Sequence, residues 1–164
     1  MPNPICLTLL DVVATERLGA KLAAVLRMGD VVALSGDLGA GKSVLARAII
    51  RALTGNDEEE VPSPTFTLVQ CYDSPAGMVW HYDLYRLSAA DEVVELGWEE
   101  AGATGIVLVE WPERLGGLLP AEHLEVSLTQ APVEADADAD ARCACLIGHV
   151  GWAGRLAALS LGNL

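Results

Sequence analysis

Hydrophobic and polar positions along the chain follow two different periods. Val31 to Ser35 and Ile106 to Val109 are near-continuous apolar runs, which is typical of strands buried in a parallel sheet. Thr15 to Leu26 instead places apolar residues at a helical spacing, and so does the run from Val44 to about Leu53. Strands alternating with helices predict an α/β fold.

The remaining apolar segments are shorter and predict smaller elements. An antiparallel hairpin is predicted from the strand-like runs on either side of the turn at 73–77. The predicted elements are strands at 5–10, 66–72, 78–82, 123–128 and 142–147, and helices at 89–96 and 151–161. The alanine- and aspartate-rich stretch at 131–141 predicts a mobile acidic loop.

A glycine-rich loop lies between the first buried strand and the following helix. Residues 36–43 read Gly-Asp-Leu-Gly-Ala-Gly-Lys-Ser, which is the P-loop pattern. Its glycines allow backbone N–H groups to surround a phosphate, and the helix start adds unpaired N–H groups. Lys42 is expected to reach the β- and γ-phosphates and the Ser43 hydroxyl to ligate Mg²⁺. The chain is therefore predicted to be a single α/β P-loop NTPase domain, residues 1–164, with a mostly parallel central sheet flanked by helices and an antiparallel hairpin.

Two carboxylates follow predicted strands and are candidates for the same site. Glu110 ends the run at 106–109, where a P-loop protein needs an acidic residue for Mg²⁺ or its water shell, although a strand-end cap would look the same. Asp83 follows the hairpin and could orient the attacking water, assist Mg²⁺ through water, or cap a turn.

The segment Val61-Pro-Ser-Pro-Thr65 predicts a stiff, extended loop. Its hydroxyl residues, Ser63 and Thr65, could order around the γ-phosphate, or the segment could be only a rigid connection. Arg86 could pair with Asp83, a phosphate or a partner. Trp80, Trp98 and Trp111 are interpreted as core or interface residues, because no basic residues are interleaved with them.

Composition narrows the class of protein. The chain has 164 residues, of which 52% are hydrophobic, and a net charge of −13, so it is expected to be globular and not to bind nucleic acid alone. The N-terminus does not resemble a signal peptide and no apolar run is long enough to span a membrane, so a cytoplasmic protein is expected. Cys6, Cys71, Cys143 and Cys145 are expected to be reduced and buried.

Five motifs occur in an order that resembles the TsaE (YjeE) family, the ATPase of bacterial tRNA threonylcarbamoyladenosine biosynthesis. The resemblance covers roughly residues 13–128. The motifs are the P-loop at 36–43, Ser-Pro-Thr-Phe-Thr-Leu-Val at 63–69, His-Tyr-Asp-Leu-Tyr-Arg-Leu at 81–87, Glu-Leu-Gly at 95–97 and Val-Glu-Trp-Pro-Glu-Arg at 109–114.

The resemblance implies a protein that hydrolyses ATP with Mg²⁺ and associates with TsaB and TsaD, which themselves transfer the threonylcarbamoyl group. The protein would contact tRNA only indirectly, through that complex. Ser43 and Glu110 would hold Mg²⁺, and Asp83, Lys42 and Thr65 would act at the γ-phosphate. Nucleotide-binding residues would be Thr15, Leu38, Gly39, Ala40, Gly41, Lys42, Ser43 and Val44. Thr15 could instead be the N-cap of its helix, and an adenine contact after residue 128, for example by Arg142, is left open.

Two other classes of P-loop protein remain as alternatives. A small-molecule kinase would use the same loop, although the ten Lys and Arg residues are scattered and suggest no arginine-rich lid. A GTPase switch is disfavoured because the chain has no Asn/Thr-Lys-x-Asp segment to read guanine.

Overall fold

The computed structural model describes residues 3–132, 139–162 and 164. The strands are β1 (Ile5–Leu9), β2 (Val31–Ser35), β3 (Val69–Ser74), β4 (Gly77–Asp83), β5 (Ile106–Glu110), β6 (Leu124–Gln130) and β7 (Arg142–Gly148). The helices are α1 (Val12–Ala23), α2 (Lys42–Thr54), α3 (Trp98–Thr104) and α4 (Ala153–Ala157), with 3₁₀ segments at Ala90–Leu96 and Pro112–Leu118.

All seven strands form one sheet in the order β1-β7-β6-β2-β5-β4-β3. The four central strands β6, β2, β5 and β4 are parallel, and antiparallel strands extend both edges. The β3–β4 pair is the predicted hairpin, closed by a short turn between Ser74 and Gly77. The predicted fold class, an α/β P-loop domain with a parallel central sheet, is confirmed.

The sheet is buried on both faces. One face packs against α1 and α2, whose apolar sides include Leu18, Leu22, Leu45 and Ile49, all fully buried. The other face packs against α3 and the two 3₁₀ segments. This sandwiching explains why β2 and β5 read as continuous apolar runs rather than as alternating ones.

The first helix begins earlier than predicted. Asp11 is its N-cap, and the Asp11 carboxylate accepts a hydrogen bond from the Ala14 N–H at 2.8 Å. Thr15 is therefore not the N-cap; it lies in the first turn with only 4% of its surface exposed. An aspartate satisfies helix N–H groups at least as well as a threonine, so the earlier residue takes the role.

Two further boundaries differ from the prediction. The strand expected from Phe66 begins only at Val69, because the chain turns between Pro64 and Leu68, whose N–H donates to the Pro64 carbonyl at 2.7 Å. The terminal helix is α4 alone, much shorter than the predicted 151–161. The predicted mobile loop at 131–141 lies mostly outside the described residues.

The prediction that the cysteines are reduced and buried is wrong, because two of the four form a disulfide and none of the four is fully buried. Cys6 and Cys145 form a disulfide between β1 and β7, where they are directly paired in the register. Cys71 carries a free thiol on an exposed residue, and Cys143 is free and partly buried. The disulfide joins residues 139 apart in sequence, which only the strand register brings together.

None of the helices among the described residues is long and apolar enough to cross a membrane.

Candidate functional site

The P-loop connects the end of β2 to the start of α2. At Gly36, where φ is 144°, an added Cβ would lie 2.4 Å from the Leu128 carbonyl oxygen, so only glycine fits between the loop and β6. Gly41 is the N-cap of α2 with φ 104°. The loop therefore presents the N-terminal N–H groups of a 13-residue helix to the cleft.

Lys42 is buried at the base of this loop, with 5% of its surface exposed. Its ammonium donates to the backbone carbonyls of Gly36 and Asp37, the latter at 2.9 Å. It also lies over the Trp111 ring, 4.1 Å from the ring centroid. Burial lowers the pKa of Lys42, and the nearby carboxylates, Glu110 first, act in the opposite direction. These contacts hold the lysine at the loop, where it can meet an anion.

A chain of three side chains runs from the P-loop into the sheet. The Ser43 hydroxyl donates to Glu110 Oε1 at 2.9 Å, and His81 Nε2 lies 2.7 Å from Glu110 Oε2. Glu110 is 2% exposed and His81 only 1%. A hydroxyl beside a carboxylate is an oxygen donor set that suits Mg²⁺, and His81 fixes the carboxylate from the other side.

Asp83 anchors the proline-stiffened loop. Its Oδ2 accepts hydrogen bonds from Ser63 Oγ and Thr65 Oγ1, both at 3.2 Å, and those hydroxyls lie 3.0 Å apart. Its Oδ1 accepts the Tyr85 N–H at 3.1 Å. A carboxylate oxygen accepts about two hydrogen bonds, so Oδ1 keeps one acceptor position while Oδ2 holds the loop.

These groups share one cleft of about 280 Å³. Its lining consists of Val12, Thr15, Leu38, Gly39, Gly41, Lys42, Ser43, Val44, Ser63, Thr65, Asp83, Glu110, Trp111, Asp140 and Arg142. Every residue predicted to bind the nucleotide, to bind the metal or to take part in catalysis therefore lines this cleft, except Ala40. Ala40 lies behind the loop, and its carbonyl accepts the Arg142 Nε–H at 3.1 Å.

Arg142, the example given for an adenine contact after residue 128, lines the cleft. Besides its bond to Ala40, it donates to the Gly39 carbonyl at 3.2 Å. It thereby links the start of β7 to the P-loop. Arg86 is placed elsewhere, with its guanidinium 4.5 Å from the centroid of the Phe66 ring, which is 82% exposed.

Sequence reasoning missed His81 and the role of Trp111. Strand alternation could have found His81, because it is two residues before Asp83 and therefore on the same face of β4. Trp111 is not only a core residue: its ring lines the cleft and its backbone has φ 61°, a strained conformation for a bulky residue. No sequence pattern signals that strain. Trp98 does lie in the core, and Trp80 packs against the same cluster, as expected.

Comparisons with known proteins agree with this architecture. A family model described as "Threonylcarbamoyl adenosine biosynthesis protein TsaE" matches residues 9–138. A crystal structure of Bacillus subtilus YdiB superimposes with a TM-score of 0.74 at 25% identity, covering 96% of this chain and 93% of that one.

Curated relatives carry the description "tRNA threonylcarbamoyladenosine biosynthesis protein TsaE". The Rickettsia felis protein is 43% identical over 114 residues, which is 70% of this chain and 66% of the relative, just under two thirds of its length. The Haemophilus influenzae protein is 36% identical over 118 residues, or 68% of this chain and 73% of the relative. The family match over residues 9–138 and these identities show that the chain belongs to the TsaE family of tRNA threonylcarbamoyladenosine biosynthesis proteins.

Proposed function

We propose that the chain is a Mg²⁺-dependent ATPase required for tRNA N6-threonylcarbamoyladenosine modification, acting on a TsaB–TsaD complex rather than transferring the group itself. The observation that carries this proposal is the meeting of Lys42, the Ser43–Glu110 pair and Asp83 in one cleft. A P-loop lysine, a metal-binding hydroxyl and carboxylate, and a second carboxylate are the parts that nucleoside triphosphate hydrolysis requires.

The ATP phosphates are held by the P-loop backbone from Leu38 to Val44 and by Lys42. The Lys42 ammonium exchanges its bonds to the Gly36 and Asp37 carbonyls for phosphate oxygens, which carry more charge. Thr15, buried in the first turn of α1 on the cleft wall, contacts the nucleotide from the opposite side of the loop.

Ser43 and Glu110, whose side chains lie 2.9 Å apart, would hold Mg²⁺. The ion would neutralise the charge that develops on the phosphate groups. His81 keeps Glu110 Oε2 hydrogen-bonded, so that Oε1 stays directed at the Ser43 hydroxyl.

Hydrolysis proceeds by in-line attack of a water molecule on the γ-phosphorus. Asp83 Oδ1 accepts a hydrogen bond from that water, while Oδ2 holds Ser63 and Thr65 beside the γ-phosphate. The new bond forms between the water oxygen and phosphorus, the bond to the β–γ bridging oxygen breaks, and ADP leaves. The proton of the water passes to the released phosphate.

The net negative charge of the chain supports an accessory role in which it does not bind tRNA directly. A net charge of −13 repels tRNA phosphates, so the basic surface that grips tRNA belongs to the partner proteins. The ATP cycle then acts on the complex and not directly on the nucleic acid.

The test is ATP turnover by the purified chain, alone and with TsaB and TsaD. We expect slow turnover alone, faster turnover with the partners, and nucleotide-dependent co-purification with them.

Two variants test the site itself. Lys42→Ala should abolish nucleotide affinity, and Glu110→Ala should abolish the Mg²⁺-dependent activity. The matched controls, Arg17→Ala and Glu99→Ala on exposed positions of α1 and α3, should behave as the parent chain.

Three results would contradict the proposal. A preference for GTP in calorimetry would place the chain among nucleotide switches. Phosphoryl transfer to a metabolite would favour a small-molecule kinase. Failure to associate with TsaB and TsaD in any nucleotide state would remove the accessory role.

A further inference from the structure

A second cluster of titratable side chains lies outside the nucleotide cleft, on the β6–β7 pair. His123 directly precedes β6, Glu125 is the second residue of β6, and His149 follows the last residue of β7. The register pairs Leu124 with Gly148, and the His149 N–H donates to the His123 carbonyl at 3.0 Å, which extends the ladder by one residue. Strand alternation therefore places all three side chains on the same face of the sheet.

The three side chains converge. One ligating atom from each can be chosen so that all lie within 4.8 Å of one another. His149 Nε2 lies 3.5 Å from Glu125 Oε2, and the two imidazole rings stack with centroids 4.2 Å apart. His149 Nε2 is shielded from solvent and has no hydrogen-bond partner among residues 3–132, 139–162 and 164.

The tautomer of His123 is fixed by the backbone. Its Nδ1 lies 2.7 Å from the Pro120 carbonyl oxygen, and a carbonyl can only accept, so Nδ1 carries the hydrogen. In the neutral ring the Nε2 lone pair is then available. This arrangement, with one ring nitrogen tied to a carbonyl and the other free, is the one found in metal-bound histidines.

We propose that His123, Glu125 and His149 form a binding site for a divalent transition-metal ion of the Zn²⁺ type. Two imidazole nitrogens and one carboxylate are a ligand set that zinc uses when a fourth position is left to water or another ligand. Imidazole also selects against Mg²⁺, which prefers oxygen donors. On binding, His149, which is one third exposed, turns out of the stack so that both imidazoles direct a nitrogen at the ion.

The site is separate from the nucleotide cleft. It faces the side of the sheet away from α1 and α2. There, His123 and Glu125 line a cavity of about 260 Å³ together with Ala33, Ser35 and four residues of the segment from Pro112 to Leu119. That segment begins two residues after Glu110, and its Glu113 lines the same cavity. A bound ion would therefore join the start of β6 to the end of β7 on this face of the sheet.

The test is Zn²⁺ binding measured by competition with a chromophoric chelator in the presence of excess Mg²⁺. Cys71 and Cys143 carry free thiols, so the background is the Cys71→Ser/Cys143→Ser variant with the disulfide intact. We expect one tight Zn²⁺ ion per chain. His149→Ala and Glu125→Gln should each weaken it by more than about tenfold. Glu122→Gln, which removes an exposed carboxylate next to His123, should leave the affinity unchanged.

Imidazole nitrogen NMR gives a second, independent measurement. Zn²⁺ should shift the ring resonances of His123 and His149 and leave those of His81 in place. Equal Zn²⁺ affinity in the parent and in His149→Ala would overturn the proposal, and would mean that the three residues form only an ion pair and a ring stack. A shift confined to His81 would also overturn it, because it would place the ion in the nucleotide cleft.

This proposal does not depend on the ATPase. The His149→Ala variant keeps every residue of the nucleotide cleft, so its Mg²⁺-dependent ATP turnover should match the parent even when its Zn²⁺ binding is lost. The two proposals can thus fail separately.

Discussion

At the residue scale, the nucleotide cleft is organised by side chains that hold one another in place. Glu110 is bonded to Ser43 on one oxygen and to His81 on the other. Asp83 is bonded to two hydroxyls and one backbone N–H. Both carboxylates are at least 95% buried, so each partner that is removed leaves a costly unsatisfied oxygen.

Asp83 is expected to serve hydrolysis rather than affinity. Asp83→Ala should keep ATP affinity within a few-fold, because Lys42 and the P-loop backbone remain, while single-turnover hydrolysis slows by at least about tenfold. Calorimetry and a phosphate-release assay measure the two quantities.

Loop anchoring can be separated from water orientation. Ser63→Ala removes one of the two hydroxyls on Asp83 Oδ2 but leaves Oδ1 untouched, so its rate should fall less than that of Asp83→Ala. Normal turnover in Asp83→Ala would remove Asp83 from the catalytic residues.

His81 is expected to act through Glu110. His81→Ala should raise the Mg²⁺ concentration needed for half-maximal ATP turnover by about tenfold, as loss of a residue that orients a metal ligand does. ATP affinity measured without Mg²⁺ should not change. His81→Gln, which keeps a donor, should recover part of the Mg²⁺ affinity, whereas an unchanged Mg²⁺ dependence in His81→Ala would show that His81 is only a packing residue.

At the element scale, the disulfide joins the sheet edge to the P-loop side of the molecule. It links β1 to β7, and β7 begins with Arg142, which bonds the P-loop carbonyls. The cross-link closes a loop of 139 residues, and long loops restrict the unfolded chain most.

Cys145→Ser is therefore expected to lower the free energy of unfolding by about 2–4 kcal/mol. For a chain of this size that corresponds to a fall in Tm of roughly 4–16 °C. Calorimetry with and without reductant measures it. Reductant should lower the Tm of the parent chain and of the control variant Cys71→Ser by the same amount. It should not change the Tm of Cys145→Ser. A parent chain whose Tm is insensitive to reductant would contradict the prediction.

Local sequence patterns predicted the P-loop and the central strands well, because the conformation of these segments depends mainly on their own residues. The P-loop glycines and the apolar runs of β2 and β5 each leave one favourable conformation. The start of α1 was misplaced because Asp11 competes with Thr15 as a cap, and propensity alone does not choose between them.

The contacts that join distant segments could not be predicted in this way. The Cys6–Cys145 pairing, the His81–Glu110 contact and the reach of Arg142 depend on which strands are neighbours and in what register. Hydrophobic periodicity fixes the faces of a strand but not its partner. Asp83 and Glu110 could nevertheless be named as neighbours in one site, since the carboxyl ends of parallel strands meet at one edge.

At the scale of the whole molecule, charge determines how the chain can meet tRNA. With a net charge of −13, the chain alone should bind tRNA more weakly than about 100 μM at physiological salt, because it releases no phosphate counterions. Fluorescence anisotropy of labelled tRNA measures this. Tighter binding by the isolated chain would contradict both the prediction and the accessory role.

The contacts behind the P-loop also determine when, during synthesis of the chain, the P-loop can reach its final structure. Gly36 is fitted against the Leu128 carbonyl, and Arg142 bonds the carbonyls of Gly39 and Ala40. A ribosome that has released residues 1–110 has delivered the P-loop, Asp83 and Glu110, but not β6 or β7. The nascent chain therefore cannot complete the contacts that support the P-loop until β6 and β7 have also emerged.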